Sequence, residues 1–225
     1  MGLRRHMAAI DVLLTKIRRD TRDTGASDGY DRAFSQQELT DLVELALAEV
    51  SRAYPKELMS VVALPDIKSS YHAASIALPA GWDTIYRIDC LKNVVKTNPT
   101  TQWYEVVDIV HPSMGDGPYG GWEIQAGQVY LQPGRFNSQT SHLRLLGYGN
   151  WTVDTLDADS EQAVRYFVQA ECMFRMVTDR SIFQQWQLNP GNTDITVPSI
   201  NQMYAVSRQR FDRLIGRLRK IKKVG

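Results

Sequence analysis

Histidines and cysteines are the first residues to test for chemistry, because they are common general bases, nucleophiles and metal ligands. The four histidines lie tens of residues apart, with no cysteine or acid at ligand spacing beside them. The two cysteines are also far apart, and we interpret them as buried thiols of a protein made in a reducing compartment. The spacing therefore predicts no metal and no catalytic histidine. These residues are His6, His72, His111, His142, Cys90 and Cys172.

Two short segments resemble binding loops. DADSE at 157–161 begins like a calcium loop but lacks the glycine at the sixth position and the closing glutamate, so a helix cap is the preferred interpretation. GDGPYGG at 115–121 is rich in glycine but has no Lys-Ser/Thr ending, and it is interpreted as a mobile loop. The H-E-x-x-H motif is absent from the sequence. The spacing G-x-S-x-G occurs in GASDG at 25–29, but this stretch lies in a loop-like segment between two predicted helices and not at the strand-to-helix turn that a nucleophile elbow requires. We therefore expect no catalytic residue, no cofactor and no enzymatic activity.

A basic C-terminal segment, residues 208–225, is the first functional candidate. It holds eight basic residues and one acidic residue in a chain of net charge +1, so the rest of the chain is acidic. One interpretation is a solvated helix face that complements the helix dipole. The other is a binding surface for an acidic partner or for nucleic acid, because the cations extend back over about four helical turns. The cations are Arg208, Arg210, Arg213, Arg217, Arg219, Lys220, Lys222 and Lys223.

Aromatic residues in the middle of the chain are the second candidate. Core packing explains most of them, but some are candidates to anchor a partner or a sugar. The set comprises Trp82, Trp103, Trp122, Trp151, Tyr86, Tyr104, Tyr119, Tyr130 and Tyr148.

The clearest local prediction is a helix over 36–53. Ser35 precedes Glu38 by three residues, the spacing of a capping box, and Phe34 and Leu39 can close a hydrophobic staple. Apolar residues then recur at spacings of three and four, and Pro55 ends the helix. The apolar face consists of Leu39, Leu42, Val43, Ala46, Leu47 and Val50.

Three further helices are predicted. The first spans about 7–19, and the last in the chain runs from about 198 to 222. We expect the segment from Arg217 onward to be loosely held in the free protein. The third follows Trp151, with Asp159 and Gln162 as its cap pair, and is apolar almost all round. That pattern predicts a core or subunit-interface role for Phe167, Phe174 and Val177. Residues 183–199 are expected to form a loop.

Residues 58–152 consist of short apolar and β-branched runs bounded by Pro, Gly, Asn or Asp, which predict antiparallel strands. The predicted fold class is α+β: a four-helix bundle with a β-rich, sandwich or barrel-like insertion between its second and third helices. The domains are an N-terminal helical hairpin (1–57), the β-rich insertion (58–156) and a C-terminal helical pair (157–225) that completes the bundle.

This layout resembles the head–tail connector, or adaptor, proteins of tailed bacteriophages. The similarity is carried by IDVLLTKIRRDTRDT, by FSQQELTDLVELALAEVSRAYP, by LPAGWDTIYRIDCL in the β-rich segment and by two late helices. It covers nearly the whole chain and is one of architecture and helix pattern. The family has no catalytic residues to carry over.

The resemblance implies a structural protein of the virion neck, assembled in the host cytoplasm. Its copies are expected to form a ring, a dodecamer in that family, between the portal protein and the tail or neck proteins, around a channel for double-stranded DNA. Fibre proteins are further possible partners, and no membrane is expected. Two alternatives stay open: a nucleic-acid-binding module that uses the basic segment, and a carbohydrate-binding or fibre-attachment protein that uses the aromatic β-region.

Overall fold

The computed structural model describes residues 2–24, 32–63, 74–92, 107–108, 122–131, 140–189 and 191–224 of the 225-residue chain. The chain divides into two compact units. The first, here called the helical unit, comprises Met1–Pro55 and Trp151–Gly225. The second, the β unit, comprises Lys56–Asn150.

Five α-helices lie in the described part of the helical unit, with a short 3₁₀ turn at Val153–Thr155. The first two precede the β unit in the chain, and the last three follow it. They are α1 (Gly2–Thr21), α2 (Gln36–Ala53), α3 (Ala158–Thr178), α4 (Arg180–Gln187) and α5 (Val197–Val224).

Helix α2 has the predicted bounds, and the predicted capping box is confirmed. The Glu38 backbone N–H donates to Oγ of Ser35 at 3.1 Å, and the Ser35 backbone N–H donates to Oε2 of Glu38 at 2.8 Å. Two of the donors that every helix N-terminus leaves unpaired are thereby satisfied. The predicted apolar face is buried except for Leu47, which is half-buried.

The core of the helical unit is built from buried side chains of all five helices. Trp186 of α4 is fully buried, and its indole N–H donates to the Thr21 carbonyl at 2.8 Å. Helices α3 and α5 run in opposite directions, because Phe167 contacts Phe211 at 5.4 Å and Phe174 contacts Tyr204 at 6.0 Å between ring centroids. Burial of this common core holds the helices together.

Several local predictions for the helices were wrong. Asp157, not Asp159, caps α3, since its Oδ1 accepts from the Ser160 backbone N–H at 2.7 Å. Helix α4 covers the beginning of the segment expected to be a loop, because Asp179 caps it and Trp186 anchors it in the core. The first helix is also longer than predicted at both ends.

The described strands of the β unit pair only in antiparallel fashion. One sheet has the order β1-β7-β3-β4, and a smaller sheet has the order β2-β6-β5. Strands β5 and β6 form a tight hairpin at Ala126 and Gly127, whose φ angles of 49° and 74° fit a primed two-residue turn. The strands are β1 (Lys56–Ala63), β2 (Ala74–Ala77), β3 (Trp82–Lys92), β4 (Val107–Asp108), β5 (Trp122–Gln125), β6 (Gln128–Leu131) and β7 (Thr140–Gly149).

The predicted fold class is therefore wrong. The architecture is mixed α/β with five described α-helices rather than a four-helix bundle, and the described strands form two antiparallel sheets of four and three strands. Helix α4 was missed because the burial of its Trp186 depends on a contact with α1 that is distant in sequence. The glycine-rich segment 115–121 lies outside the described residues, and so does most of WYEVVDIV at 103–110, one of the apolar runs predicted to form strands.

Candidate anion-binding groove between the third and fifth helices

A groove of about 340 Å³ lies between α3 and α5. Helix α3 contributes an amide and a phenol at positions i and i+4, and α5 contributes three guanidinium groups and one leucine over two turns. These polar groups are hydrogen-bond donors suited to a carboxylate or a phosphate. The residues that line this α3–α5 groove are Gln162, Tyr166, Arg210, Arg213, Leu214 and Arg217.

Two of the arginines have no counter-charge among the described residues. The Arg210 guanidinium lies 5.8 Å from the centroid of the Tyr166 ring, a cation–π contact that leaves its N–H groups available at the ring edge. Arg213 makes no hydrogen bond or ion pair with any residue of the described ranges, and both arginines are exposed. Their charges therefore remain available for an anion.

The two α3 side chains are ordered by each other. Nε2 of Gln162 donates to the Tyr166 hydroxyl at 2.7 Å. Because that hydroxyl accepts from the amide, its own proton remains available for donation. Tyr166 can thus present a hydrogen-bond donor beside the guanidinium of Arg210.

One end of the groove already holds a carboxylate. Arg217 pairs with Asp159 of α3 at 3.3 Å, and both side chains are about half exposed or more. An exposed pair of this kind contributes only about 0–1 kcal/mol to stability. It does show that a carboxylate fits against this row of arginines.

The other described cations of the basic segment have internal partners. The guanidinium carbon of Arg208 lies 5.6 Å and 5.3 Å from the ring centroids of Phe167 and Phe211, and its Nε is 3.6 Å from Asp212. Nε of Arg219 donates to the Ala53 carbonyl at the end of α2 at 2.9 Å. The predicted basic site is thus divided: three arginines line the groove, and two stabilise the helical unit.

Lys220, Lys222 and Lys223 belong to α5, but their side chains lie outside the described residues. The expectation that the chain is loosely held from Arg217 onward is wrong for 217–219. The helix continues through these residues, Leu218 is only 3% exposed, and Arg219 binds the end of α2.

The three α3 residues that were predicted to lie in a core or a subunit interface differ in their solvent exposure. Phe167 is 5% exposed and belongs to the core, and Val177 is half-buried against it. Phe174 is 49% exposed and contacts Tyr204 on the surface. Phe174 is therefore no core residue, and its interface role stays a prediction.

The aromatic candidates that the structure describes mostly pack internally. Trp82 packs against the core of the β unit, and Trp151 is 8% exposed in the helical unit. The ring centroids of Tyr86 and Tyr148 lie 4.7 Å apart, and Tyr86 is 45% exposed. Trp103, Tyr104 and Tyr119 lie outside the described ranges, as does the side chain of Trp122. Tyr130 is half-buried.

Within the described ranges, no three His, Cys, Asp or Glu side chains are grouped as a metal site. Cys172 is a buried free thiol, as predicted, and burial raises its pKa, which keeps it protonated and unreactive. Of the histidines, only His142 on β7 has a described side chain. None of the described helices combines the length and apolar character needed to cross a membrane.

Sequence reasoning missed Gln162, Tyr166 and Leu214 as parts of this site. The available signal was the i, i+4 spacing of Gln162 and Tyr166, but its meaning depends on the antiparallel packing of α3 on α5.

Comparison of the chain with models of known protein families found no match. A search of curated proteins found no similar sequence either.

Proposed function

We propose that this chain is a structural adaptor of a tailed-bacteriophage neck. Its copies form a ring, dodecameric by the resemblance, that joins the portal protein to the tail or neck proteins around the DNA channel. The observation that carries the proposal is the cation surplus of α5, where Arg210 and Arg213 have no counter-charge among the described residues. The sequence resemblance to head–tail connectors supplies the kind of assembly.

The chemistry of α5 favours persistent binding. Guanidinium groups form bidentate hydrogen bonds with carboxylates or phosphates, and a rigid helix holds them at fixed spacing. In this proposal, Arg210 and Arg213 serve the contact between copies, and the cations at the C-terminal end of α5, which include Lys220, Lys222 and Lys223, bind an acidic surface of the portal. No catalytic step is involved.

The test of portal binding uses a truncation after Arg219, because a cut after Gly216 would also remove the buried Leu218 and the bond to Ala53. This truncation removes Lys220, Lys222 and Lys223. We expect the shortened chain to keep its melting temperature and to attach poorly to heads isolated from the encoding phage before tail addition. A cut after Lys223 is the matched control. Equal attachment by both truncated chains and the full chain would refute the docking role.

A nucleic-acid-binding module is the alternative that the structure keeps open, since Arg210, Arg213 and Arg217 lie along one side of α5. The carboxylate of Asp159 at the groove disfavours a phosphate backbone there. The adaptor proposal predicts weak duplex binding that ignores sequence and falls steeply with salt. Submicromolar, sequence-selective binding at physiological salt would favour the alternative.

A further inference from the structure

The exposed side of α2 carries a pair of acids that matches the pair of arginines in the groove. Asp41 and Glu44 are both exposed and stand at positions i and i+3. Glu44 makes no hydrogen bond or ion pair with any described residue, and Asp41 accepts only from the amide of Gln37, at 2.7 Å. Beside them Leu45 is 47% exposed.

Arg210 and Arg213 also stand at positions i and i+3. Side chains at this spacing on a helix project from points about 5–6 Å apart, so two such pairs on facing helices are in register. Leu45 beside Glu44 is exposed, whereas Leu214 beside Arg213 is only 8% exposed and belongs to the core of the helical unit. The two surfaces therefore match in charge and in spacing.

Other acids near the groove are already neutralised. Asp159 pairs with Arg217, and Asp212 lies beside Arg208. On α2 itself, Glu49 pairs with Arg52 at 2.5 Å. The Asp41–Glu44 pair lacks such a cation in the described chain.

We propose that the α3–α5 groove of one copy binds the exposed side of α2 of a second copy, with Arg210 and Arg213 paired to Asp41 and Glu44. The inference rests on the proposed self-assembly and names its surfaces. Because the two surfaces are different, each copy uses both, and the contact repeats head to tail into a ring or a filament. The C-terminal end of α5 then remains for a different partner.

The first experiment detects the contact even when it is weak. One preparation carries Arg213→Cys and the other Glu44→Cys, both in a Cys90→Ser background, and a short bis-maleimide links them. Cys172 is buried and stays unreactive. We expect the mixed pair to cross-link more than about tenfold faster than the control pair Glu44→Cys with Gln184→Cys on the exposed side of α4. Equal rates for the two pairs would overturn the inference.

The second experiment reverses the charges. Arg210→Glu/Arg213→Glu gives a copy with two acidic surfaces, and Asp41→Arg/Glu44→Arg gives a copy with two basic surfaces. Each variant alone is expected to self-associate more than about tenfold more weakly than the wild type, since like charges face each other. Mixed one to one, they regain complementary contacts and assemble in alternation.

Sedimentation and native mass spectrometry measure these outcomes, and circular dichroism checks the fold. Wild-type self-association of either reversed variant, or a mixture that assembles no better than its components, would overturn the inference. Rings that form in spite of both reversals would place the interface elsewhere and leave the adaptor proposal intact. Failure of the wild-type chain to attach to heads counts against the adaptor proposal alone.

Discussion

Arg18 and Asp23 form a buried ion pair, with Nη1 of the arginine 2.8 Å from Oδ2 of the aspartate and both side chains less than a tenth exposed. The same carboxylate accepts from the backbone N–H groups of Ala33 and Phe34 at 2.8 Å and 3.3 Å. Burial lowers the pKa of Arg18, and the charge of Asp23 opposes that shift. The pair thereby joins the end of α1 to the segment that begins α2.

Removing the aspartate should be strongly destabilising. Asp23→Ala leaves a buried guanidinium and two backbone donors without their partner, so we expect a loss of about 3–5 kcal/mol in the free energy of unfolding. Glu49→Ala, which breaks the more exposed Arg52–Glu49 pair, is the matched control and should cost at most about 1 kcal/mol. Urea unfolding measures both, and equal losses would contradict the assigned role of Asp23.

The capping box of α2 should make stability depend on pH. Hydrogen bonds from Ser35, first through its side chain and then through its backbone N–H, lower the pKa of Glu38 below its usual value of 4.5. A lowered pKa means that the carboxylate stabilises the fold at higher pH and that this contribution is lost as the pH falls through the folded-state pKa.

Ser35→Ala should therefore lower the free energy of unfolding by about 0.5–2 kcal/mol at neutral pH. Urea unfolding at a series of pH values should show that the difference in this free energy between the variant and the wild type becomes smaller below about pH 4.5. Thr40→Ala, further along the same helix, is the control and should show a difference that does not vary with pH. A constant gap between wild type and Ser35→Ala from pH 7 to pH 3 would argue against the linkage.

Exposure separates two phenylalanines of α3 that share one sequence pattern. Phe167→Ala should lower the free energy of unfolding by about 3–5 kcal/mol, because Phe167 is buried against Phe211. Phe174→Ala should change it by no more than about 1 kcal/mol, because that ring is half exposed. If Phe174→Asp folds normally but no longer assembles, the predicted interface role holds. Unfolding of Phe174→Asp would show that the exposed position is wrong.

Substitution by alanine at two glycines should change the stability of the protein in opposite directions. Gly216→Ala adds a methyl group in open space within α5 and should stabilise the helical unit by about 0.5–1 kcal/mol. At Gly147 of β7, a Cβ would lie 2.5 Å from the Trp82 ring and would also overlap the Thr84 carbonyl, so alanine should cost about 1–3 kcal/mol or more. Thermal unfolding measures both changes. A stable Gly147→Ala variant would show that the strands pair differently.

Trp151 should stabilise the helical unit through the hydrogen bond of its indole N–H as well as through the burial of its ring. The group donates to the Tyr54 carbonyl at 2.7 Å, and the two rings stack at 6.2 Å. Trp151→Phe keeps a ring but leaves that carbonyl without the donor, which should cost about 1–3 kcal/mol. Trp151→Ala removes both and should cost more, about 3–5 kcal/mol. Equal unfolding free energies for the two variants would show that packing contributes little.

Features set by neighbouring residues were predictable from the sequence. The bounds of α2 and its capping box follow from Ser35, Glu38 and Pro55, whose effects reach only a few residues along the chain. Helix α4 lies partly in the segment 183–199 that was expected to be a loop, and it was missed because the burial of its Trp186 depends on α1. Sequence context gives no information on such distant partners.

The candidate groove between α3 and α5 was equally hard to predict. The charge excess of the basic segment was visible in the sequence, but the sequence could not show which of its cations bind other residues of the chain and which remain exposed. Only the packing of α3 on α5 separates Arg210 and Arg213, which line the groove, from Arg219, which binds the end of α2.

The two points where the chain leaves and re-enters the helical unit are neighbours. The Trp151 backbone N–H donates to Oγ of Ser51 at 2.9 Å, and its indole reaches the carbonyl of Tyr54 just before Pro55. The whole of Lys56–Asn150 is therefore an insertion whose two ends join the helical unit at neighbouring positions. Since the entropic cost of closing such a loop rises only slowly with its length, a linker of a few residues or a foreign domain of another size can take its place. The helical unit can in this sense keep its own core while the segment inserted into it changes in length or identity.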